Sequence, residues 1–90
     1  MPVFLVERYA AGDQIGGLDG RLAGATEGSE VRWLASIVLP GEDACLCLFE
    51  APSAAEVIAV NLRAGAGLDR VVEAVLVRGG PPAGPVASGC

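Results

Sequence analysis

The sequence predicts an α+β fold with one four-stranded antiparallel sheet and two helices on one of its faces. Three observations lead there. The apolar runs, read between their glycine and proline breaks, fall in the order β-α-β-β-α-β. Residues 44–65 join a short apolar run, Leu46-Cys47-Leu48-Phe49, to a second run that reads as a helix. Finally, neither face of the central hairpin is polar throughout, so both faces of the sheet need cover. The order is the split β-α-β, or ferredoxin-like, arrangement, with strands in the spatial order 4-1-3-2.

Each element has its own warrant. Val3 to Tyr9 is an apolar strand whose charges, Glu7 and Arg8, come late, and Ala10 to Gln14 is loop. From Ile15 to Glu27, Ile15, Leu18, Leu22 and Ala25 share one helical face, while Asp19, Arg21 and Glu27 suit the exposed side. Gly16, Gly17, Gly20 and Gly24 weaken that helix by about 1 kcal/mol each relative to alanine, so it is expected to be short or irregular. Gly28 is a plausible stop.

Val31 to Leu39 is the second strand, and Pro40-Gly41 suits the centre of a type II turn. Ala44 to Glu50 returns as the hairpin's second arm. Pro52 ends that strand, and Ser53 and Glu56 have the spacing of a capping box, which opens a helix closed by Gly65 or Gly67. Leu68 to Val77 is the last strand. Residues 1–78 thus form the domain, and the glycine- and proline-rich residues 79–90 read as a disordered tail.

Parity makes the hairpin informative. A loop of two or four residues places Trp33, Ala35, Ile37 and Leu39 on one face with Leu46, Leu48 and Glu50. Arg32, Leu34, Ser36 and Val38 then share the other face with Cys45, Cys47 and Phe49. Both faces are oily, 52% of the chain is apolar, and a domain of 90 residues buries only about two-thirds of its unfolded surface. A second copy of the chain is the simplest cover, so a homodimer is expected.

Composition excludes several functions. Eleven carboxylates against six arginines give a net charge of −5, the wrong balance for nucleic acid or an anionic membrane surface. No apolar run reaches membrane-spanning length, and Met1-Pro2-Val3-Phe4 lacks a basic leader. There is no histidine and no lysine. That removes a Ser-His triad, a histidine haem ligand, a Schiff-base lysine and a P-loop lysine. The glycines near residue 16 lack the spacing of a dinucleotide fingerprint, so neither haem nor nucleotide is expected. Three cysteines make no disulfide framework, and a reducing, cytoplasmic setting follows.

Several motifs resemble an uncharacterised family of small bacterial domains that includes a nickel-binding protein. They are Met1-Pro2-Val3-Phe4-Leu5-Val6-Glu7-Arg8, Val31-x-Trp33-x-x-Ser36, Cys47-Leu48-Phe49-Glu50-Ala51-Pro52-Ser53 and Leu68-Asp69-Arg70-Val71-Val72-Glu73. The resemblance implies a ferredoxin-like subunit, a dimer related to the dimeric α+β barrels, and nickel as the metal. Ala35 and Ile37 stand where the family commonly has histidine and tyrosine. Nickel favours imidazole, which this chain cannot offer.

The candidate ligand pocket comprises Glu7, Tyr9, Trp33, Glu50, Asn61 and Glu73. Glu7 and Glu50 are expected at one end of the sheet with Glu73 nearby. There, clustered carboxylates would raise one another's pKa or hold a hard cation, with Glu7 and Glu50 as the metal candidates. Ion pairing with Arg8, Arg32 or Arg70 is the plainer alternative. Trp33 either stacks a flat ligand or anchors a core. Tyr9 and Asn61 offer hydrogen bonds to a ligand. Cys45 and Cys47 point to one face, as two soft ligands or as small core hydrophobes. Cys90 offers a thiol to a metal or to an intermolecular disulfide.

The function expected is non-enzymatic binding of a small molecule or metal ion by a homodimer. One alternative is a cofactor-free monooxygenase or isomerase acting on a hydrophobic or aromatic substrate, with Glu50 or Glu7 as base. Another is a structural or regulatory dimer without a site.

Overall fold

The computed structural model describes residues 1–9, 16–77 and 79. Its elements are β1 (Val3–Tyr9), α1 (Leu18–Thr26), β2 (Arg32–Leu39), a single 3-10 turn (Pro40–Glu42), β3 (Ala44–Glu50), α2 (Ala54–Arg63) and β4 (Arg70–Ala74). The four strands form one sheet in the order β2-β3-β1-β4, the ferredoxin-like arrangement expected. β3 runs antiparallel to both β1 and β2, and β4 antiparallel to β1.

Alternation along β1 sorts the layers. Phe4, Val6 and Arg8 are buried, while Val3, Leu5 and Glu7 between them are half-buried on the other face. Phe4 and Val6 join Cys45, Cys47 and Phe49 of β3 against Leu18 and Leu22 of α1 and Val57 and Val60 of α2 in one apolar cluster. The helices therefore cover one face. The other carries Val3, Leu5, Leu46, Leu48, Ala35, Ile37 and Val72 by register, bounded by the ion pairs Glu7–Arg70 and Arg32–Glu50. Within the described residues no helix is long and apolar enough to cross a membrane.

Local outcomes differ from the sequence reading at four places. α1 starts only at Leu18, after Gly17 in the left-handed region at φ 76°, and stops before Gly28 at φ 75°. Leu18 and Leu22 face the core as expected, whereas Ile15 and the 10–14 loop lie outside the described residues. Residues 80–90 of the expected tail, Cys90 included, do too. β4 is shorter than expected because its partner runs out. Ala74 pairs with Val3, the first residue of β1, and Val75 and Val77 beyond it are 86% and 82% exposed.

The third difference is the hairpin. Its turn is not type II: Pro40–Glu42 coil into a 3-10 turn, and the positive φ of 47° falls on Asp43 rather than Gly41. The loop of four still gives the expected parity for Ala35↔Leu48, Ile37↔Leu46 and Leu39↔Ala44. A bulge between Trp33 and Ala35 then reverses it, so Trp33 pairs with Phe49 and Arg32 with Glu50. One extra residue, Leu34, opposes none on β3 and shifts the rest to the opposite face.

Fourth, the Ser53–Glu56 capping box does not form. Ser53 is the N-cap of α2 in extended conformation, but its hydroxyl makes no capping bond, and both side chains are exposed. The helix still ends as expected, with Gly65 at φ 68°. Across the helix layer, Arg63 of α2 donates to the Ala25 carbonyl of α1 at 2.9 Å, supplying a cation to a helix end that has no basic residue of its own.

Candidate functional site

The expected carboxylate cluster is dispersed. The β1-α1-β2 crossover leaves β1 and β2 parallel, and β3 between them is antiparallel to both. Glu50 therefore lies opposite Val3, and Glu7 opposite Leu46, at different ends of the sheet. Glu73 pairs with Phe4 on the helix-side parity and is exposed at the edge. Each of the first two has an arginine: Glu50 bonds Arg32 at 3.0 Å, and Glu7 lies 3.4 Å from Arg70. Among the described residues no group of three or more histidine, cysteine or acidic side chains converges as a metal site.

Tyr9 does meet Glu7. Its hydroxyl donates to Glu7 Oε1 at 2.7 Å, while its N–H donates to Asp69 Oδ2 at 2.8 Å. The hydrogen bond to Glu7, and then the negative charge of that carboxylate, push the phenol above its usual value of 10.0. The ring is exposed, so this corner is a surface feature.

Trp33 and Glu50 meet differently from the expectation. They do not share a face of the hairpin by register. The bulge nevertheless brings both to the rim of one groove of about 550 Å³ on the open sheet face, with Val3, Arg32, Leu34, Ala35, Leu48 and Leu76. Its floor is aliphatic, and its charged groups form the Arg32–Glu50 pair. Trp33 also packs against the core cluster and donates its Nε1–H to Ser36 Oγ at 3.0 Å. It serves as anchor and wall together.

Asn61 is fully buried, and both ends of its amide are used. Its Nδ2 donates to the Val57 carbonyl at 2.8 Å, one turn back on α2, and its Oδ1 accepts from Arg8 Nη2. Arg8 entered the sequence reading only as an ion-pair partner for a glutamate, not as a buried polar centre. Only 5% exposed, it also donates from Nε to the Gly67 carbonyl at 2.6 Å and from Nη1 to Cys47 Sγ at 3.3 Å. Its signal was legible: Arg8 continues the Phe4, Val6 series of core-facing positions. Its acceptors are all neutral, and the ion pairs among the described residues go to other arginines.

Arg8 and Tyr9 also border a second cleft of about 560 Å³ between the end of β1, Arg21 and residues 65–69. Cys45 and Cys47 are buried and unbridged, their sulfurs 3.7 Å apart. Burial first, and then the neighbouring Cys47 sulfur, push the Cys45 thiol up.

With this geometry in view, the comparisons with known proteins are specific. The model of a family described as "Nickel responsive protein SCO4226-like" matches residues 4–74. The crystal structure of SCO4226 from Streptomyces coelicolor A3(2) has a TM-score of 0.70 and 24% sequence identity, covering 84% of this chain and 99% of that one. That likeness concerns the fold. No curated protein matches.

Proposed function

We infer the function from one premise: the chain belongs to the nickel responsive SCO4226-like family. The reading is a non-enzymatic homodimer that encloses a small ligand between two facing sheets. One observation carries it, the groove of about 550 Å³ on the open sheet face. The groove is half-open, with an aliphatic floor and a single ion pair at its rim, and a second sheet laid over it turns it into a closed pocket. The tryptophan wall and the Arg32–Glu50 pair then orient what lies inside. Glu50 is engaged by Arg32 at 3.0 Å, which favours binding over proton abstraction.

Nickel has a different place in this reading. The family's description names a response to nickel, but this chain has no histidine to give that ion its preferred imidazole. The proposed occupant of the groove is therefore an organic molecule, and the setting is the reducing cytoplasm. Native mass spectrometry of protein purified without chelator tests the proposal. The expected particle has twice the 9.0 kDa chain mass and carries a retained small molecule. A bare 9.0 kDa particle at every concentration overturns it.

A further inference from the structure

We propose that Cys45 and Cys47 form a two-coordinate site for one soft monovalent cation of the Cu(I) type, with Arg8 as its counter-charge. The two side chains occupy alternate positions on the central strand β3, so they project to the same face, and their sulfurs stand 3.7 Å apart with no disulfide between them. Cys47 Sγ is already treated as an acceptor. It receives an N–H from Arg8 Nη1 at 3.3 Å and the Ser36 hydroxyl at 3.0 Å. Both groups hold that sulfur in a fixed orientation beside Cys45.

Charge supplies the second, independent reason. A buried cation is costly unless an anion faces it. Arg8 is 5% exposed, yet its recorded partners are the Gly67 carbonyl, the Asn61 amide oxygen and the Cys47 sulfur. Among the described residues its side chain has no carboxylate partner. Binding releases two thiol protons and joins one monovalent cation to two thiolates. The resulting complex carries one negative charge, which Arg8 neutralises. A divalent ion on the same two thiolates would leave the Arg8 charge unmatched.

Ligand number points the same way. Among the described residues no third histidine, cysteine or acidic side chain converges here, so an ion demanding four ligands is not served. Thiolates select Cu(I) over harder ions. At a metal–sulfur length of about 2.3 Å, a collinear pair needs sulfurs about 4.6 Å apart, roughly 0.9 Å more than is found. Cys45 has room to supply that difference, since it borders a cavity of about 290 Å³ beside Leu18, Trp33 and Val38. The same cavity is the ion's way in.

The test is anaerobic competition for Cu(I) against a chromophoric chelator, using the full chain with Cys90→Ser so that only the strand pair remains. One Cu(I) per chain is expected, lost in Cys45→Ser and in Cys47→Ser, and weakened about 10–100-fold in Arg8→Gln, the size of effect usual for a group supporting the ligands. X-ray absorption on the loaded Cys90→Ser protein, which keeps both core thiols, should show a shell of two sulfurs. Absence of binding in Cys90→Ser, binding that survives loss of Cys45 or Cys47, or a shell of three or more ligands overturns the proposal.

Discussion

Arg8 is the residue on which the helix side of the sheet turns. It spans from β1 to α2 and to the segment after it, through Asn61 and the Gly67 carbonyl. Removing one partner of such a pair leaves the other buried and unmet, which costs far more than the pair contributes net. Asn61→Leu should therefore lower stability by about 3 kcal/mol. The double variant Arg8→Met/Asn61→Leu should recover much of that, read as a urea midpoint with unchanged slope. At the opposite surface, Tyr9 is the one tyrosine of the chain, so its titration can be followed directly in the ultraviolet. The Glu7 hydrogen bond and charge raise its pKa above 10.0. A group raised on folding lends stability below its unfolded pKa and loses it as pH climbs through the folded one. The phenol midpoint should accordingly lie above that of a free tyrosine, and Glu7→Gln should bring it back down.

At the level of elements, the bulge in β2 and the N-terminus of α2 teach opposite lessons. Parity from the loop length is a sound rule, and it holds from Leu39 back to Ala35. A bulge is set by how the strand must bend over its neighbours, which no spacing in the sequence announces. Deleting Leu34 should restore unbroken alternation and leave Trp33 opposite Phe49 on the helix side. Its fluorescence maximum should then stay where it is, since the indole keeps its core contact, whereas a shift to longer wavelength would show that Leu34 is not the residue that sets the bulge. The capping motif shows the reverse case, a clear signal that the structure leaves unused. Ser53 takes the N-cap position without its side-chain bond, so Ser53→Ala should change stability by less than about 0.5 kcal/mol, as at an ordinary surface site. A loss near 1 kcal/mol, the usual worth of a cap, would show that the hydroxyl does bond.

For the whole molecule the governing fact is a sheet with helices on one side and aliphatic side chains on the other. Leu5 and Leu48 face each other across β1 and β3 near the middle of that open face. A charge placed there is solvated in a monomer and costly between two sheets. Leu48→Arg should thus leave the helix-side core folded by circular dichroism while halving the mass seen by light scattering. If the variant and the parent have the same mass, whichever state that is, the proposed association through this face is wrong. The groove along Trp33, Arg32 and Glu50 would then remain open to water, and ligand retention should fall with dimerisation.

The sequence by itself determined the order of the elements, the sheet that follows from that order, and the core-facing series along β1 and β3. Those depend on periodicity and on turn residues, which are local properties. Only the tertiary structure decided which polar groups meet. It parted Glu7 from Glu50 because β3 runs antiparallel to β1, which puts their C-terminal ends at opposite ends of the sheet. It moved Trp33 to the other parity through a single extra residue. It also brought Arg8, Asn61 and Cys47 together from three elements that lie far apart along the chain. Contacts of that kind depend on how layers stack, and strand register fixes the stacking after the local pattern has been spent.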